Sequence, residues 1–195
     1  LWAATYGDGI YKYNTKKDAF LKITSDSSKV GQKATCIHED YKHGIWIGTD
    51  GDGLLYFDRN QQIIHKYKHE SNDLTSINSN VIRTIESDSI GNFWVGTFSG
   101  GIDYRSISVD NFTHHKNLNR NNTNNSVTSI IEDKDKMYWI GTDGGGLVKF
   151  NMATGHIVNL EHSDSQNSIS SDNIICIEKR ANEELWIGTF LGGLN

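Results

Sequence analysis

The stretch YWIGTDGGGLVKFN, residues 138–151, decides the fold because the chain repeats it. Four altered copies begin at residues 1, 45, 93 and 185 and read LWAATYGDGIYKYN, IWIGTDGDGLLYFD, FWVGTFSGGIDYRS and LWIGTFLGGLN. The tryptophans of the five copies, at positions 2, 46, 94, 139 and 186, lie 44, 48, 45 and 47 residues apart. A repeat of roughly 40 to 50 residues that contains several short strands is typical of a β-propeller blade.

The pair Trp139 and Gly141 predicts how one blade meets the next. Side chains alternate along a strand, so these two residues share one face of it. The indole can bury its large area against a neighbouring sheet, while the glycine leaves room for a residue of that sheet. We therefore expect the five tryptophans to form inter-blade core packing rather than a platform on which sugars stack.

Each repeat supplies further strands around this hairpin. Inner strands are predicted at residues 34–39, 81–86, 126–132 and 173–179, and outer strands at residues 20–24, 62–68, 111–116 and 156–161. No helical periodicity of useful length is present, so the predicted fold class is all-β, a β-propeller with antiparallel four-stranded blades. The blade parts are 1–33, 34–80, 81–125, 126–172 and 173–195, about four blade equivalents. Because the first and last copies are cut within a repeat, we expect one partial propeller domain of a longer protein.

The composition narrows the function. At 195 residues with a formal net charge of −5, the chain has no excess of positive charge to attract phosphate backbones, so nucleic-acid binding is not expected. No apolar run approaches the roughly 18 residues that span a bilayer. Two cysteines, Cys36 and Cys176, are too few for a disulfide scaffold and are expected to be buried free thiols.

Antiparallel strands place two kinds of connection at the same end of every blade. If the inner strand runs up, the hairpin turns near residues 6, 50, 98, 143 and 190 and the loops that lead to the next blade share one face, which we call the hairpin face. Function on a rigid scaffold of strands usually lies in such loops. The candidate ligand-binding residues are those of this face: Tyr6, Asp8, Asp50, Asp52, Asn72, Asp73, Phe98, Ser99, Asp143 and Phe190.

Metal, cofactor and catalytic sites are not predicted. The acidic run DGDG at 50–53 lacks the spaced ligands and closing glutamate of an EF-hand, so a hairpin turn is expected. His114 and His115 are adjacent in a strand and point to opposite faces, so they cannot easily chelate one ion. His69 and His114 are expected at solvated strand ends. Carboxylate pairs such as residues 39–40 are expected to be turn-forming or solvated groups rather than a general acid and base.

The string DSIGNFWVGTFSGGI at residues 88–102, preceded by SINSNVIRTI at residues 76–85, resembles the two-component regulator propeller repeat. Its aspartate, tryptophan, Gly-Thr pair and glycine before an aliphatic residue recur at residues 40–54 and 133–147. The resemblance covers essentially the whole chain. It departs at Arg180, which replaces the aspartate, and at Ala4, which replaces the glycine after the first tryptophan.

The resemblance implies a seven-bladed propeller that forms the periplasmic sensor of a membrane-bound hybrid two-component histidine kinase. Members of that family signal by phosphorelay, and many regulate polysaccharide utilisation in response to oligosaccharides. It further implies an oligosaccharide or other small ligand, neighbouring blades and a homodimer as partners, and no enzymatic activity in this segment. Membrane contact would come only from parts of the parent protein outside this chain.

Two alternatives remain open. The order Asp-x-x-Gly-x-x-Trp superficially resembles the Asp-box of sialidases, which would fit a propeller enzyme such as a lyase or a glycoside hydrolase. The order of residues differs from that box, however, and no acidic cluster maps to the hairpin face. The other alternative is a protein-interaction scaffold without a small ligand.

Overall fold

The computed structural model describes residues 1–23, 31–60, 63–88, 90–116, 118, 126–181 and 184–195. These residues form five antiparallel sheets, which we number as blades 1 to 5 along the chain. Blade 1 contains β1 (Trp2–Thr5), β2 (Gly9–Asn14) and β3 (Ala19–Lys22), and blade 2 contains β4 (Ala34–Glu39), β5 (Ile45–Thr49), β6 (Leu54–Asp58) and β7 (Ile63–Tyr67). Blade 3 contains β8 (Ile82–Ser87), β9 (Phe93–Thr97), β10 (Ile102–Arg105) and β11 (Thr113–His115).

Blade 4 contains β12 (Val127–Glu132), β13 (Met137–Thr142), β14 (Leu147–Asn151) and β15 (Ile157–Leu160), and blade 5 contains β16 (Ile174–Lys179), β17 (Leu185–Thr189) and β18 (Gly193–Leu194). One turn of 3-10 helix covers Lys134–Lys136. The all-β prediction and the four-stranded antiparallel blades are therefore confirmed. In the described part of the chain, no helix is long and apolar enough to cross a membrane.

Successive blades touch through their inner strands. Strands β4, β8, β12 and β16 contact one another in that order, and β1 contacts β4. Among the described residues no contact of that extent joins β16 back to β1, so the blades form an arc rather than a closed ring. The outer strands are shorter than expected; β11, for example, covers three residues of the predicted 111–116.

The tryptophans lie at the joints between blades. Trp94 of blade 3 is fully buried, and its ring centroid lies 4.4 Å from that of Tyr138 in blade 4. Trp46 of blade 2 lies 4.4 Å from Phe93 of blade 3 in the same way. Aromatic pairs at this spacing bury a large apolar area and gain from their edge and face contacts. The prediction that the tryptophan column is inter-blade packing is confirmed at these joints.

In blades 2, 3 and 4 the glycine two residues after the tryptophan accommodates a side chain from the next blade. A Cβ added at Gly96 would lie 2.5 Å from Cγ2 of Thr84 and 2.6 Å from Cγ1 of Val127. A Cβ at Gly141 would lie 2.6 Å from Cγ2 of Ile174. Because the aliphatic residue at the start of the next inner strand already fills this space, only glycine fits without a shift.

The aspartate of the repeat holds both the turn and the indole. Asp40 accepts hydrogen bonds from the backbone N–H groups of Lys42 and Gly44, at 2.9 and 2.8 Å, and from the indole of Trp46 at 3.1 Å. Asp133 accepts the indole N–H of the tryptophan of blade 4 at 2.9 Å. The expectation that such carboxylates form turns is confirmed for Asp40, and the indole contact extends it.

The two cysteines are free thiols that differ in burial. Cys36 is partly buried, and burial raises the pKa of its thiol to about 11. Cys176 is exposed, so the expectation for this residue is wrong. The equivalent position of blade 2 lies beside Ile82 from the next blade, whereas no described strand covers Cys176.

Candidate functional site

The hairpin face is assembled as the topology predicts. The N–H groups of Gly51 and Gly53 donate to the carbonyl of Asn80, at 2.9 and 3.0 Å. The carbonyl of Asp172 accepts the equivalent bonds from the turn of blade 4. Each of these hairpin turns is therefore held by the loop that leads to the next blade.

A threonine fixes the start of every hairpin turn. The hydroxyl of Thr49 donates to the carbonyl of Gly53 at 2.6 Å, and the other four repeats form the same bond at 2.7 to 3.0 Å. The residue directly after this threonine varies, and along the chain it alternates between aromatic and acidic: Tyr6, Asp50, Phe98, Asp143 and Phe190. The repeat thus holds three different residue types, Tyr, Asp and Phe, at one structural position.

A β-bulge at the start of each inner strand adds a second set of side chains. The pairing register shifts by one residue at equivalent points of β4, β8, β12 and β16. Because a bulge leaves one residue unpaired and redirects its side chain, it can present that side chain to a site. The bulged residues are Thr35, Arg83, Thr128 and Ile175.

These two sets of residues line two neighbouring cavities, and we call the nine side chains the rim. The first cavity, about 590 Å³, is lined by Tyr6, Thr35, Asp50, Arg83 and Phe98, together with Ala34 and Val81. The second, about 440 Å³, is lined by Arg83, Thr128, Asp143, Ile175 and Phe190, together with Asn173 and Ile174. Arg83 belongs to both linings.

The rim combines exposed aromatic faces with charged groups. Tyr6 is 67% exposed, Phe98 45% and Phe190 57%. The hydroxyl of Tyr6 donates to Asp50 at 2.7 Å, and this bond raises the pKa of Tyr6. The guanidinium of Arg83 lies 4.9 Å from the ring centroid of Phe98. Exposed apolar groups gathered beside polar ones are typical of a binding surface.

Half of the predicted site residues line these cavities. Tyr6, Asp50, Phe98, Asp143 and Phe190 do so, whereas the other five do not: Asp8, Asp52, Asn72, Asp73 and Ser99.

Two of the residues outside the cavities make local contacts. Asp8 bonds the hydroxyl of Tyr11 and the ammonium group of Lys22 within its own blade. Asp73 accepts both the N–H and the hydroxyl of Thr75, at 2.8 and 2.6 Å, and these bonds lower the pKa of Asp73. Both carboxylates therefore stabilise their own turn or loop.

Sequence reasoning missed the bulged residues. Strand periodicity assigns each residue to one of two faces, and an inserted residue leaves no trace in that pattern. A usable signal was present, because Thr35, Arg83 and Thr128 are polar residues directly after the first aliphatic residue of an inner strand.

The structure also corrects the expectation for His114. This side chain is not a solvated strand end, because its Nδ1 lies 2.7 Å from a carboxylate oxygen of the fully buried Asp103, and its Nε2 lies 2.9 Å from the carbonyl of Leu74. The other oxygen of Asp103 accepts the N–H of Asn78 at 2.7 Å. Burial raises the pKa of Asp103, against the effect of these bonds. The pair fastens the loop of blade 2 to blade 3.

His69 and His115 behave differently from this pair. His69 is exposed, and its Nδ1 lies 2.9 Å from the carbonyl of Ile77. His115 points to the other face of β11, towards Trp94 and Phe150, as the strand alternation predicts. In the described parts of the chain, no three His, Cys, Asp or Glu side chains are grouped to hold a metal ion.

Comparison with known proteins identifies the repeat. The family model of the two component regulator propeller matches residues 76–99 and 122–144. No curated protein matches the sequence. The chain is similar to the extracellular domain of BT3049, described as a hybrid two component system, from B. thetaiotaomicron, with 25% identity and a TM-score of 0.80 over 96% of this chain.

Two further solved structures share the fold. The extracellular domain of BT4673 from the same organism, also described as a hybrid two component system, is 17% identical with a TM-score of 0.65, covering 94% of this chain and 32% of that one. Virginiamycin B lyase from Staphylococcus aureus is 13% identical with a TM-score of 0.71, covering all of this chain and 64% of that one.

This chain spans 26% of the length of the BT3049 domain. The resemblance inferred from residues 88–102 is confirmed, because one matched segment ends within that string and the other includes residues 133–144 of the recurrence at residues 133–147. The chain is an arc of a β-propeller in which two segments match the two component regulator propeller model.

Proposed function

We propose that this chain belongs to the ligand-sensing propeller of a hybrid two-component system histidine kinase, and that its rim binds an oligosaccharide. The similarity to the extracellular domain of BT3049 supports the sensor role and a position outside the cytoplasm. The rim supports the ligand class, since it presents three exposed aromatic rings beside carboxylates along two cavities whose linings share Arg83.

The chemistry of the rim suits a sugar. The faces of Tyr6, Phe98 and Phe190 offer flat apolar surfaces, against which the C–H groups of a sugar ring can pack. Asp50 and Asp143 offer carboxylate oxygens, which accept hydrogen bonds from hydroxyl groups. A pocket that combines apolar walls with a few polar groups fixes both the position and the orientation of its ligand.

In this proposal the sensor lies in the periplasm as part of an inner-membrane protein, forms a homodimer, and regulates polysaccharide utilisation through a phosphorelay. Binding would reach the kinase through contacts between blades and between subunits. The ordered chain of contacts β1, β4, β8, β12 and β16 is a physical route along the inner strands. The similarity to a lyase is a similarity of fold alone.

Calorimetric titration with a panel of oligosaccharides tests the proposal. At least one member should bind, and Phe98→Ala or Phe190→Ala should weaken its binding roughly threefold to tenfold, as expected for the loss of one aromatic contact of about 1 kcal/mol. Tyr41→Ala is the matched control, because Tyr41 is 54% exposed but lies in a turn at the opposite end of blade 2.

Three outcomes would contradict the proposal. Equal weakening by Tyr41→Ala would place the ligand away from the rim. Chain cleavage of a bound oligosaccharide, detected by chromatography, would favour a propeller lyase or glycoside hydrolase. Absence of binding across the panel would favour a protein-interaction scaffold.

A further inference from the structure

Arg83 has a special place in the rim. Its guanidinium lies over the ring of Phe98 at 4.9 Å, and its exposed side chain lines both cavities. The bulges of the other blades present Thr35, Thr128 and Ile175, none of which is charged. The repeat therefore needs no arginine at this position to form its bulge.

No carboxylate forms an ion pair with Arg83 among the described residues, although other arginines of the chain are paired. Arg59 lies 3.0 Å from Glu39, and Arg105 contacts Asp110. The carboxylate that lines the first cavity together with Arg83 is that of Asp50, whose Oδ2 accepts the hydroxyl of Tyr6. Among the described residues the guanidinium of Arg83 is thus a cation without an ionic partner in a side chain that lines both cavities.

We propose that the ligand is an oligosaccharide that carries an acidic group, a uronate or a sulfate ester, and that Arg83 binds this group. The inference rests on the proposed function and names the class of its ligand. A guanidinium matches the oxygens of a carboxylate or a sulfate with two parallel hydrogen bonds. Its contact with the ring of Phe98 limits the positions that the guanidinium takes.

The charges around Arg83 limit the number of acidic groups. Asp50 in one cavity and Asp143 in the other attract hydroxyl groups and repel anions. A ligand that fits has one acidic group at the centre and neutral, hydroxyl-rich rings on either side. A polyanion would meet repulsion from both carboxylates, and a neutral sugar would leave the guanidinium without a charged partner.

Matched ligands test this assignment. A trisaccharide with a central glucuronate is compared with its carboxyl-reduced form, with a sulfated analogue, and with inorganic sulfate alone. At 50 mM salt, one of the two acidic sugars should bind roughly tenfold or more tightly than the neutral one, in line with a charge-assisted hydrogen-bonded contact. Raising the salt to 500 mM should reduce this preference, because salt screens exposed charges.

Variants then locate the preference. Arg83→Thr copies the residue of the neighbouring bulges and should remove the preference, whereas Arg83→Lys should retain part of it. Arg180→Gln is the control, because Arg180 also lies 4.9 Å from an aromatic ring, that of Trp186, but in a turn at the opposite end of blade 5. It should leave the preference unchanged.

Each other result overturns a defined part of the reasoning. Equal binding of acidic and neutral sugars overturns the role of Arg83 and leaves the proposed function in place. If Arg83→Thr weakens the binding of acidic and neutral sugars equally, the role of Arg83 is also overturned and the proposed function stays in place. Inorganic sulfate that binds as tightly as the trisaccharides shows that the rim selects an anion rather than a sugar. Absence of binding by every sugar overturns the inference together with the proposed function.

Discussion

Replacement of Gly96 by alanine tests how blade 3 is joined to blade 4. The added Cβ would lie 2.5 Å from Cγ2 of Thr84 and 2.6 Å from Cγ1 of Val127, both well inside van der Waals contact. Both neighbours are β-branched and stiff at χ1, so neither can rotate away cheaply. Over-packing of this kind costs about 1–3 kcal/mol of unfolding free energy. We expect Gly96→Ala to destabilise the protein by that amount.

The chain provides its own control at Gly188. A Cβ there would meet the sulfur of Cys176 at 2.7 Å but no residue of a further blade, and Cys176 is exposed. Alanine also reduces the conformational freedom of the unfolded chain, which favours folding by about 0.4–1 kcal/mol where the backbone conformation permits. We therefore expect Gly188→Ala to change stability by less than about 1 kcal/mol.

Urea unfolding followed by tryptophan fluorescence measures both variants. A double-mutant cycle tests whether the contact with Val127 causes the loss of stability. Val127→Ala removes one of the two colliding methyl groups, so Gly96→Ala/Val127→Ala should lose about 0.5–3 kcal/mol less unfolding free energy than the two single variants lose together. Similar costs for Gly96→Ala and Gly188→Ala, or additive effects in the cycle, would refute the inter-blade explanation.

Three further predictions concern the charged groups. Burial, and the nearby charge of Glu132, raise the pKa of Glu86 from 4.5 to about 7. Its contribution to stability is therefore complete below pH 4.5 and is lost as the pH rises through 7. Because solvent screens this partly buried group, Glu86→Gln should remove a pH-dependent loss of about 1–3 kcal/mol, and an unchanged pH profile would contradict this. Although burial acts in the other direction, hydrogen bonds from Lys179 and Trp139 lower the pKa of Asp133 to about 2. The contribution of Asp133 to stability is therefore present above pH 3.8 and lost as the pH falls through 2. Asp133→Asn should cost about 1–3 kcal/mol of unfolding free energy at pH 7, and thermal unfolding should show this difference shrink between pH 4 and 2. Asp103→Ala leaves His114 and the N–H of Asn78 without their buried partner. It should therefore cost about 3 kcal/mol of unfolding free energy and speed hydrogen exchange at the amide of Asn78. Slow exchange at that amide would argue against the fastening of this loop.

The blade architecture was predictable because its rules are local. A tryptophan and a glycine two residues apart specify a strand face, and their period specifies the blade, so the joints at Trp46 and Trp94 follow from the sequence. The ends of the outer strands could not be predicted from the sequence, because those strands lie at the edge of each sheet and pair with one neighbour only. For β11 three of six predicted residues are paired.

The site was predictable where it depends on topology and not where it depends on an irregularity. Tyr6, Phe98 and Phe190 were found because antiparallel order alone places the hairpin turns on one face. Arg83 was missed because a bulge interrupts the alternation by which strand residues are assigned to faces. Asp103 was missed because it occupies a strand position that carries Leu55 in blade 2, and sequence alone does not show that a loop brings partners to it.

The repeat separates the residues that hold the blade from those that can recognise a ligand. The hydroxyl and the backbone N–H of Thr97 both donate to the carbonyl of Gly101 and close the hairpin turn, and Gly96 fits against the next blade, so these positions are constrained by hydrogen bonding and packing. The residue after the threonine and the bulged residue are constrained by neither, since each projects from the end of a strand. Side chains at these two positions can therefore change without loss of the fold, and differences in ligand between propellers of this kind should be concentrated there.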